Sequence, residues 1–382
     1  MSTGPTTAGG ASAGVHAAAL RHVLTHLVTP LLMCVGMGLA YLGAFHAPQP
    51  HDLRVDVVGS GVSAQVLAQT LQDKGDGALD VRTVPDRAAA TEHLMTQDSY
   101  GAFLPGANPE LMVASASSDT TATVVQQVFT EVAADQGAPL KVTDVAPTAS
   151  GDPTGQGIFF LLVAVSIGSY ASVAVVGGVG GVLPLRLRAA LVAGMSLVVS
   201  LIGVAFAGPV FGLVDHGFGG LWAMAWLYSA GILLIGVGLH TFLKRWTTLG
   251  VMVMFVMLNF TSSGGIFRPE VQPGFFGALH SFWNGAGFVE GVRSHVYFGG
   301  YGLGRDVLVL AFWLVAGIVI MGIAGAAEAR RRRAAADVAA SAGIASPAPS
   351  APGAGAAIGG PVGYGETEAE REETEEEETV GV

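Results

Sequence analysis

The chain has very few of the residues that build disulfides, zinc sites and nucleotide sites. Cys34 is the only cysteine among 382 residues, so no disulfide forms within the chain and no zinc site is built from Cys-x-x-Cys pairs. The three lysines, Lys74, Lys141 and Lys244, each follow Asp or Leu, so the Gly-Lys pair of a Walker A phosphate loop is absent. The chain is therefore not itself a P-loop ATPase, and the sequence predicts neither a cofactor nor a metal.

Charged residues are also scarce. Asp, Glu, Lys and Arg make up 12% of the chain and hydrophobic residues 51%, a composition typical of an integral membrane protein. The formal net charge of −11 comes mainly from residues 366–378, where nine Glu and one Arg contribute −8. Because the acidity belongs to a tail and not to a binding surface, we expect the lipid bilayer and no nucleic acid as a partner.

Six long stretches are free of Asp, Glu, Lys and Arg. A helix needs about 20 apolar residues to cross roughly 30 Å of hydrocarbon. The stretches that meet this requirement are 23–45, 158–183, 189–213, 219–242, 247–267 and 307–327. The first has no small-residue cleavage site before His46, so we expect an uncleaved anchor and not a signal peptide. The sequence thus predicts an α-helical polytopic membrane protein with six transmembrane helices.

Clusters of Lys and Arg predict the orientation of these helices. They lie before the first helix, between the second and third, between the fourth and fifth, and after the sixth: Arg21, Arg186, Arg188, Lys244, Arg245 and 330–333. With six crossings all of them fall on one side, which the positive-inside rule assigns to the cytoplasm. We expect a multi-pass plasma-membrane protein with both termini in the cytoplasm. Its end segments, 1–22 and 328–382, are expected to be disordered, because much of each is poor in large apolar residues.

Residues 46–157 have the composition of a soluble domain. Leu53–Val57 alternate as a strand does, and Val62–Leu71 follow at helical spacing. The remaining predicted elements are a strand, a helix, two strands, a helix and a strand, at 79–81, 88–96, 100–104, 111–116, 120–134 and 140–145. The order βαβαββαβ predicts a small extracytoplasmic α/β domain between helices one and two. No nucleophile with a base is evident, so binding or packing is favoured over catalysis.

Polar side chains occur in two of the predicted membrane helices. In hydrocarbon such groups seek hydrogen-bonding partners, so they face the bundle or a cavity and not lipid. Close helix packing is the common explanation, and a substrate pathway is the more specific hypothesis. The residues predicted to line such a pathway are Asn259, Thr261, Ser262, Ser263, Ser166 and Tyr170. No charged residue lies in the middle of a predicted span, which counts against a proton-driven pump.

The segment 268–303 follows the fifth predicted helix. A further crossing here would place the last arginine cluster outside, so we expect a short helical or re-entrant element at the outer surface. Arg268 and Glu270 flank a proline, and Glu290 and Arg293 are three residues apart. The sequence predicts that both pairs are surface ion pairs that stabilise this element.

A distinctive succession of residues begins at the end of helix five. It comprises Gly264, Gly265, Pro269, Glu270, Pro273, Phe275, Phe276, His280, Arg293 and Tyr297. This order resembles type-2 ABC transporter permeases, in particular the phage-infection-protein-like (Pip-like) subgroup with one large external domain. There, a Ser-Gly pair is followed by Pro, an acidic residue, Pro, a Phe pair, Leu-His, and later Arg and an aromatic-Gly pair. Tyr100–Pro105 and Val113–Ala116 are similar to the external domain of the same subgroup.

The resemblance implies a permease subunit of a type-2 ABC-like exporter, a homodimer or heterodimer that moves an amphiphilic or lipid-like substrate outward. The chain would not be an enzyme, because a separate ATP-binding subunit would hydrolyse ATP. In such permeases a cytoplasmic loop between helices two and three contacts the ATPase. Here that coupling loop is Leu185, Arg186, Leu187 and Arg188. Its shortness favours the alternative, a non-transporting envelope receptor or scaffold whose external domain binds a partner.

Overall fold

The computed structural model describes residues 9–344. The chain divides into two compact units, Met1–Arg331 and Arg332–Val382. The described part of the second unit, residues 332–344, is helical. The acidic run at 366–378 lies outside the described residues. The described chain is mostly helical and contains one small mixed sheet.

Five helices are long and apolar enough to cross a membrane. They lie in α1 (Gly9–Phe45), α5 (Gly157–Gly177), α6 (Leu185–Ala205), α7 (Phe218–Leu243) and α12 (Leu303–Ile344). A π-helical turn, Phe206–Val210, continues α6. These helices correspond to the first four and the last of the predicted spans. The architecture is that of a helical, multi-pass membrane protein.

The fifth predicted span, 247–267, is shorter than expected. It consists of α8 (Thr247–Met252), a π-helical turn (Val253–Met257) and α9 (Leu258–Ser262). At 1.5 Å per residue this segment rises about 24 Å, less than the roughly 30 Å of a hydrocarbon core. The helix ends before Gly264, whose φ of +71° is a left-handed conformation that glycine adopts without strain. Six full-length spans are therefore not confirmed.

The segment after α9 is helical and lies inside the protein. A 3-10 turn at Pro269–Val271 leads to α10 (Gly274–His280) and α11 (Asn284–Tyr297). Twelve of the 14 residues of α11 are buried, and the helix packs against α5, α7 and α9. The segment is therefore helical and α11 is an interior helix of the protein, while its place at the outer side of the membrane stays a prediction.

The sheet domain between α1 and α5 has the predicted order of elements. Its members are β1 (Leu53–Val58), α2 (Val62–Gly75), β2 (Leu79–Val84), α3 (Arg87–Met95), β3 (Ala102–Leu104), β4 (Glu110–Val113), α4 (Asp119–Asp135) and β5 (Lys141–Asp144). The strand order is β2-β1-β3-β4-β5, and only the β3–β4 pair is antiparallel. Connections through helices explain the parallel pairs, because parallel strands need a crossover.

Alternation along the strands places apolar side chains on both faces of this sheet. Leu53, Val55 and Val57 belong to a core shared with α2 and α4, and Phe103 of β3 stacks on Phe129 of α4 at 4.9 Å. A second core on the other face contains residues of α3. Burial of both faces is expected for a largely parallel sheet.

The ends of α1 and α12 differ from the predicted disorder. Residues 9–22 belong to α1 and residues 328–344 belong to α12. Both stretches are rich in Ala, the strongest helix former. Each continues an apolar helix, so no new helix nucleus has to form. Residues 1–8 and 345–382 are outside the described part of the chain.

Glu110 of β4 joins three elements of the sheet domain. Its carboxylate accepts hydrogen bonds from Arg87 of α3 at 2.8 and 2.9 Å and from Thr143 of β5 at 2.6 Å. Those two partners lower the pKa of Glu110 from 4.5 to about 2. A carboxylate whose pKa is lowered by folding stabilises the fold above its unfolded pKa, and this contribution disappears as the pH falls through the folded pKa.

We expect Glu110→Gln to lower the melting temperature of the full-length protein at neutral pH, because the ion pair with Arg87 is lost. The difference from wild type should shrink below pH 4.5 and disappear near pH 2, the window set by the two pKa values. Thermal unfolding in detergent over a pH series measures this. Glu131→Gln, an exposed position on α4, is the control and should match wild type throughout. A deficit in Glu110→Gln that is constant with pH would contradict the prediction.

Candidate functional site

Three charged side chains that are distant in the sequence form one buried network. Arg268, Glu290 and Arg293 are 7%, 8% and 1% exposed. Arg293 donates to Oε1 of Glu290 at 3.0 Å and Arg268 donates to Oε2. Arg293 also donates to the carbonyl oxygens of Gly264 and Gly265 at 2.7 and 3.1 Å. One carboxylate thus serves two guanidinium groups, and Arg293 fixes the turn that follows α9.

The prediction of two surface ion pairs is wrong. Arg268 pairs with Glu290 and not with Glu270, and the pair of Glu290 with Arg293 is buried. The reason is tertiary: α11 enters the interior and brings Glu290 to Arg268, 22 residues away in the sequence. Local spacing could not show this partner.

Tyr100, just before β3, connects the sheet domain to this network. Its hydroxyl donates to Oε1 of Glu270 at 2.7 Å and accepts from Arg268 at 3.4 Å. The guanidinium groups of Arg268 and Arg54 lie 5.5 and 5.8 Å from the centroid of the Tyr100 ring, within range of a cation–π contact. Burial raises the pKa of Tyr100, so its hydroxyl keeps the proton that it donates. Sequence reasoning placed Tyr100 only in a strand and missed this role.

A cavity of about 370 Å³ lies beside the network. The sheet domain, the 268–270 turn, α10, α11 and the start of α12 contribute to its wall. Its acidic and basic lining residues, apart from one histidine, are Arg54, Arg268, Arg305, Glu270, Glu290 and Asp306. The volume falls in the range of about 300–1,000 Å³ that small-molecule pockets occupy. This polar cavity is the candidate functional site.

Within the described part of the chain, several polar atoms of cavity-lining side chains have no hydrogen-bond partner. Nε of Arg268 and Oε2 of Glu270 are buried without a hydrogen bond. Among the described residues, the Asp306 carboxylate also makes neither an ion pair nor a side-chain hydrogen bond. Most buried polar groups in proteins are paired, so these groups mark positions where a polar ligand can bind.

The structure brings several residues of the external-loop motif to this cavity. Pro269, Glu270 and His280 line it. Nδ1 of His280 lies 3.0 Å from the carbonyl oxygen of Ser262, one of the last carbonyls of α9. That carbonyl has no partner within the helix, so the contact satisfies a helix end.

The other members of the motif lie away from the cavity. Pro273 immediately precedes α10, Phe275 is 60% exposed, and Phe276 is buried. The hydroxyl of Tyr297 donates to the carbonyl oxygen of Leu213 at 3.2 Å and accepts from the amide of Ala149 at 3.3 Å. These residues position the loop and its neighbours and do not contribute to the cavity wall.

Two of the predicted pathway residues belong to a buried chain of hydrogen bonds. The hydroxyl of Ser166 lies 2.5 Å from that of Tyr228, and Nδ2 of Asn259 donates to Tyr228 at 2.5 Å. The amide of Gly285 donates to Oδ1 of Asn259 at 2.6 Å. The chain joins α5, α7, α9 and α11. Its central member, Tyr228, was not predicted.

The other predicted pathway residues have local partners. Thr261, Ser262 and Ser263 donate to backbone carbonyls three or four residues earlier in the chain, and Tyr170 packs against the apolar core of the bundle. None of the six residues is part of the cavity wall. The hydrogen bonds of Thr261, Ser262 and Ser263 explain how their hydroxyl groups can be buried without a substrate. A substrate pathway along the six residues stays a prediction.

The predicted coupling loop is helical. Leu185, Arg186, Leu187 and Arg188 form the first turn of α6, and a 3-10 turn, Val179–Val182, follows α5. Leu and Arg are good helix formers and Pro184 takes the N-cap position, which explains the difference. Arg186 and Leu187 are exposed, whereas Arg188 is 3% exposed and donates to Glu328 of α12.

Replacing Glu290 should strongly destabilise the protein. Glu290→Gln leaves Arg268 and Arg293 buried without a counter-charge, so we expect the free energy of unfolding to fall by about 3–5 kcal/mol. Unfolding of the purified protein in mixed micelles with increasing SDS measures this. Glu92→Gln, an exposed position on α3, is the control. If Glu290→Gln lowers the free energy of unfolding no more than Glu92→Gln does, the buried network does not stabilise the protein.

Tyr228→Phe should have a smaller effect. It removes the hydroxyl that Ser166 and Asn259 share, and buried hydrogen bonds in membrane proteins contribute about 0.6–1.7 kcal/mol. Tyr170→Phe is the matched control, because the Tyr170 hydroxyl makes no hydrogen bond within the described chain. Equal stability of the two variants in the same micelles would show that the chain of hydroxyl groups has no energetic role.

No family model, no curated protein and no solved structure matches the chain.

Proposed function

We propose that the chain is the permease subunit of a type-2 ABC-like exporter that moves an amphiphilic or lipid-like substrate outward across the plasma membrane. The observation that carries this proposal is the polar cavity of about 370 Å³ at the junction of the sheet domain and the apolar helices. A cavity in that place can hold the polar part of an amphiphile while its apolar part stays beside the helices.

The proposed topology has six membrane segments, with α8 and α9 as a short fifth one. Asp306 lines the cavity near the start of α12, and Glu328 of the same helix bonds to Arg188 and Thr241. The 22 residues between Asp306 and Glu328 rise about 33 Å, close to the roughly 30 Å of a hydrocarbon core. The proposal therefore puts the cavity and sheet domain outside, and Arg188 and both termini on the cytoplasmic side.

The interrupted fifth segment is compatible with hydrocarbon, because its backbone is satisfied by side chains. Gln272 donates to the carbonyl oxygen of Thr261 at 2.9 Å, and Nε1 of Trp283 donates to that of Met254 at 3.0 Å. Irregular backbone at membrane depth is tolerated where it is buried in protein or lines a cavity. These two hydrogen bonds support a fifth segment that ends inside the protein, where α9 packs against α10 and α11.

A separate ATP-binding subunit would have to dock at the turn between α5 and α6. Val179 and Val182 of that turn are 71% and 88% exposed, and Arg186 beside them is exposed as well. An apolar surface with an adjacent cation fits the edge of a protein interface. We propose this turn as the coupling contact, in a homodimer or heterodimer of permease subunits.

The second candidate function is a non-transporting receptor or scaffold. The short turn between α5 and α6 favours it, because it contains no separate coupling helix. The sheet domain also exposes Val62 and Val66, at 75% and 59%, one turn apart on α2. Such a pair can contact a partner of the sheet domain.

Two valine substitutions distinguish these functions. We expect a separate ATP-binding subunit to co-purify with the full-length protein from native membranes in mild detergent, so that the eluate has ATPase activity. Val182→Asp should reduce the ATPase activity of the eluate about tenfold, a loss of about 1.4 kcal/mol in partner binding. Val62→Asp is the matched control, since it places the same charge at another strongly exposed valine, in the sheet domain, and it should retain the activity.

The opposite result supports the receptor. If no ATPase activity co-purifies with wild type, and an envelope protein that does co-purify is lost on Val62→Asp but kept on Val182→Asp, the exporter proposal fails. Mass spectrometry of the eluates identifies the bound proteins in each case.

A further inference from the structure

Acidic and basic side chains line the cavity in equal number. They are three arginines and three carboxyl groups, and burial lowers the pKa of the one histidine in the lining, His280, although nearby Glu290 opposes this shift. A cavity lined by both kinds of group does not favour a simple anion or a simple cation. It favours a ligand that carries both charges.

Among the described residues, the cavity-lining groups that lack a full set of partners are likewise of both kinds. Glu290 is fully engaged by two arginines, and Arg54 pairs with Asp98 at 2.7 Å. Two acceptors remain, the buried Oε2 of Glu270 and the carboxylate of Asp306. Two donors also remain, the buried Nε of Arg268 and the exposed guanidinium of Arg305. Within the described chain, the Arg305 side chain donates one hydrogen bond, to the carbonyl oxygen of Ser281 at 3.3 Å.

Arg268 shows that this is a built site and not an accidental group of surface charges. It is only 7% exposed, yet its Nε lacks a partner while its other nitrogens are bonded. An unpaired buried N–H destabilises the folded protein. A ligand oxygen that accepts from Arg268 would remove this cost.

The helix that contributes Asp306 to the cavity also has an apolar surface. Asp306 and Val309 of α12 line the cavity, and Leu308 and Phe312 of the same helix are 70% and 61% exposed. Leu308 and Phe312 lie four residues apart and so share one side of the helix. The hydrocarbon chains of a bound amphiphile can contact this side of α12.

We propose that the cavity binds a zwitterionic headgroup that joins a primary ammonium to a phosphate, as in phosphatidylethanolamine. The ammonium binds Asp306 and Oε2 of Glu270. The phosphate accepts from Nε of Arg268 and from Arg305, which are charge-assisted hydrogen bonds. The inference deepens the proposed function by naming its substrate class, but binding itself needs no ATPase.

Native mass spectrometry of the full-length protein tests the proposal. The protein is released from vesicles of equal parts phosphatidylethanolamine and phosphatidylglycerol, and the ratio of the two lipids retained is measured. We expect wild type to retain phosphatidylethanolamine in about tenfold excess, a preference of about 1.4 kcal/mol. Asp306→Asn should bring the ratio near one, because the free carboxylate that holds the ammonium is lost.

Two further variants separate binding from folding. Glu270→Gln keeps the oxygen that accepts from Tyr100 but removes the negative charge, so it should also lower the ratio while the melting temperature stays near that of wild type. Glu131→Gln, exposed on α4, removes an acidic charge outside the cavity and should keep the wild-type ratio. An equal ratio in wild type, Asp306→Asn and Glu270→Gln would overturn the proposal, as would a preference for phosphatidylglycerol.

Soluble probes identify the source of the headgroup. Displacement of the lipid by glycerophosphoethanolamine, but not by glycerophosphate or ethanolamine alone, supports a site for the zwitterion. If glycerophosphoethanolamine binds and phosphatidylethanolamine is not retained, the ligand is a water-soluble zwitterion and the lipid assignment is wrong. Because these measurements need no nucleotide, loss of headgroup binding and loss of ATPase coupling are separate results.

Discussion

The structure depends on one carboxylate. Glu290 is the anionic partner of both Arg268 and Arg293, and all three side chains are buried. Burying two guanidinium groups without that partner would cost several kcal/mol, so α11 has to lie where Glu290 reaches both. Arg293 then holds the turn after α9, and Arg268 reaches Tyr100 of the sheet domain. The sheet domain and the end of α9 are therefore both held by arginines that pair with Glu290.

A second constraint is the cost of unpaired backbone groups in an apolar interior. The segment α8–α9 contains a π-helical turn and ends early, which leaves carbonyl groups without helical partners. Side chains of the following segment supply donors, because Gln272 and Trp283 donate to carbonyl oxygens of α8–α9. In addition, the backbone amide of Gly285 at the start of α11 donates to the side chain of Asn259 in α9. The same residues that satisfy the broken helix also hold α10 and α11 in place beside the cavity.

The polar groups of the bundle and those of the cavity have different roles. Ser166, Tyr228 and Asn259 bond mainly to one another, so they specify how the helices pack. In the cavity, by contrast, Asp306 and parts of Glu270 and Arg268 keep free hydrogen-bonding capacity. Ligand sites are concave and contain a small number of polar groups that fix the orientation of the ligand. This difference is why the proposed function rests on the cavity and not on the chain of hydroxyl groups.

The sequence by itself determined the apolar helices and the order βαβαββαβ, because these depend on local periodicity. It also singled out the stretch around Glu270 and His280. Only the tertiary structure decided that Arg268 pairs with Glu290, that Tyr100 joins them and that Asp306 faces the same cavity. These contacts link residues up to 170 positions apart in the sequence, and their geometry follows from how α11 packs, which no local pattern contains.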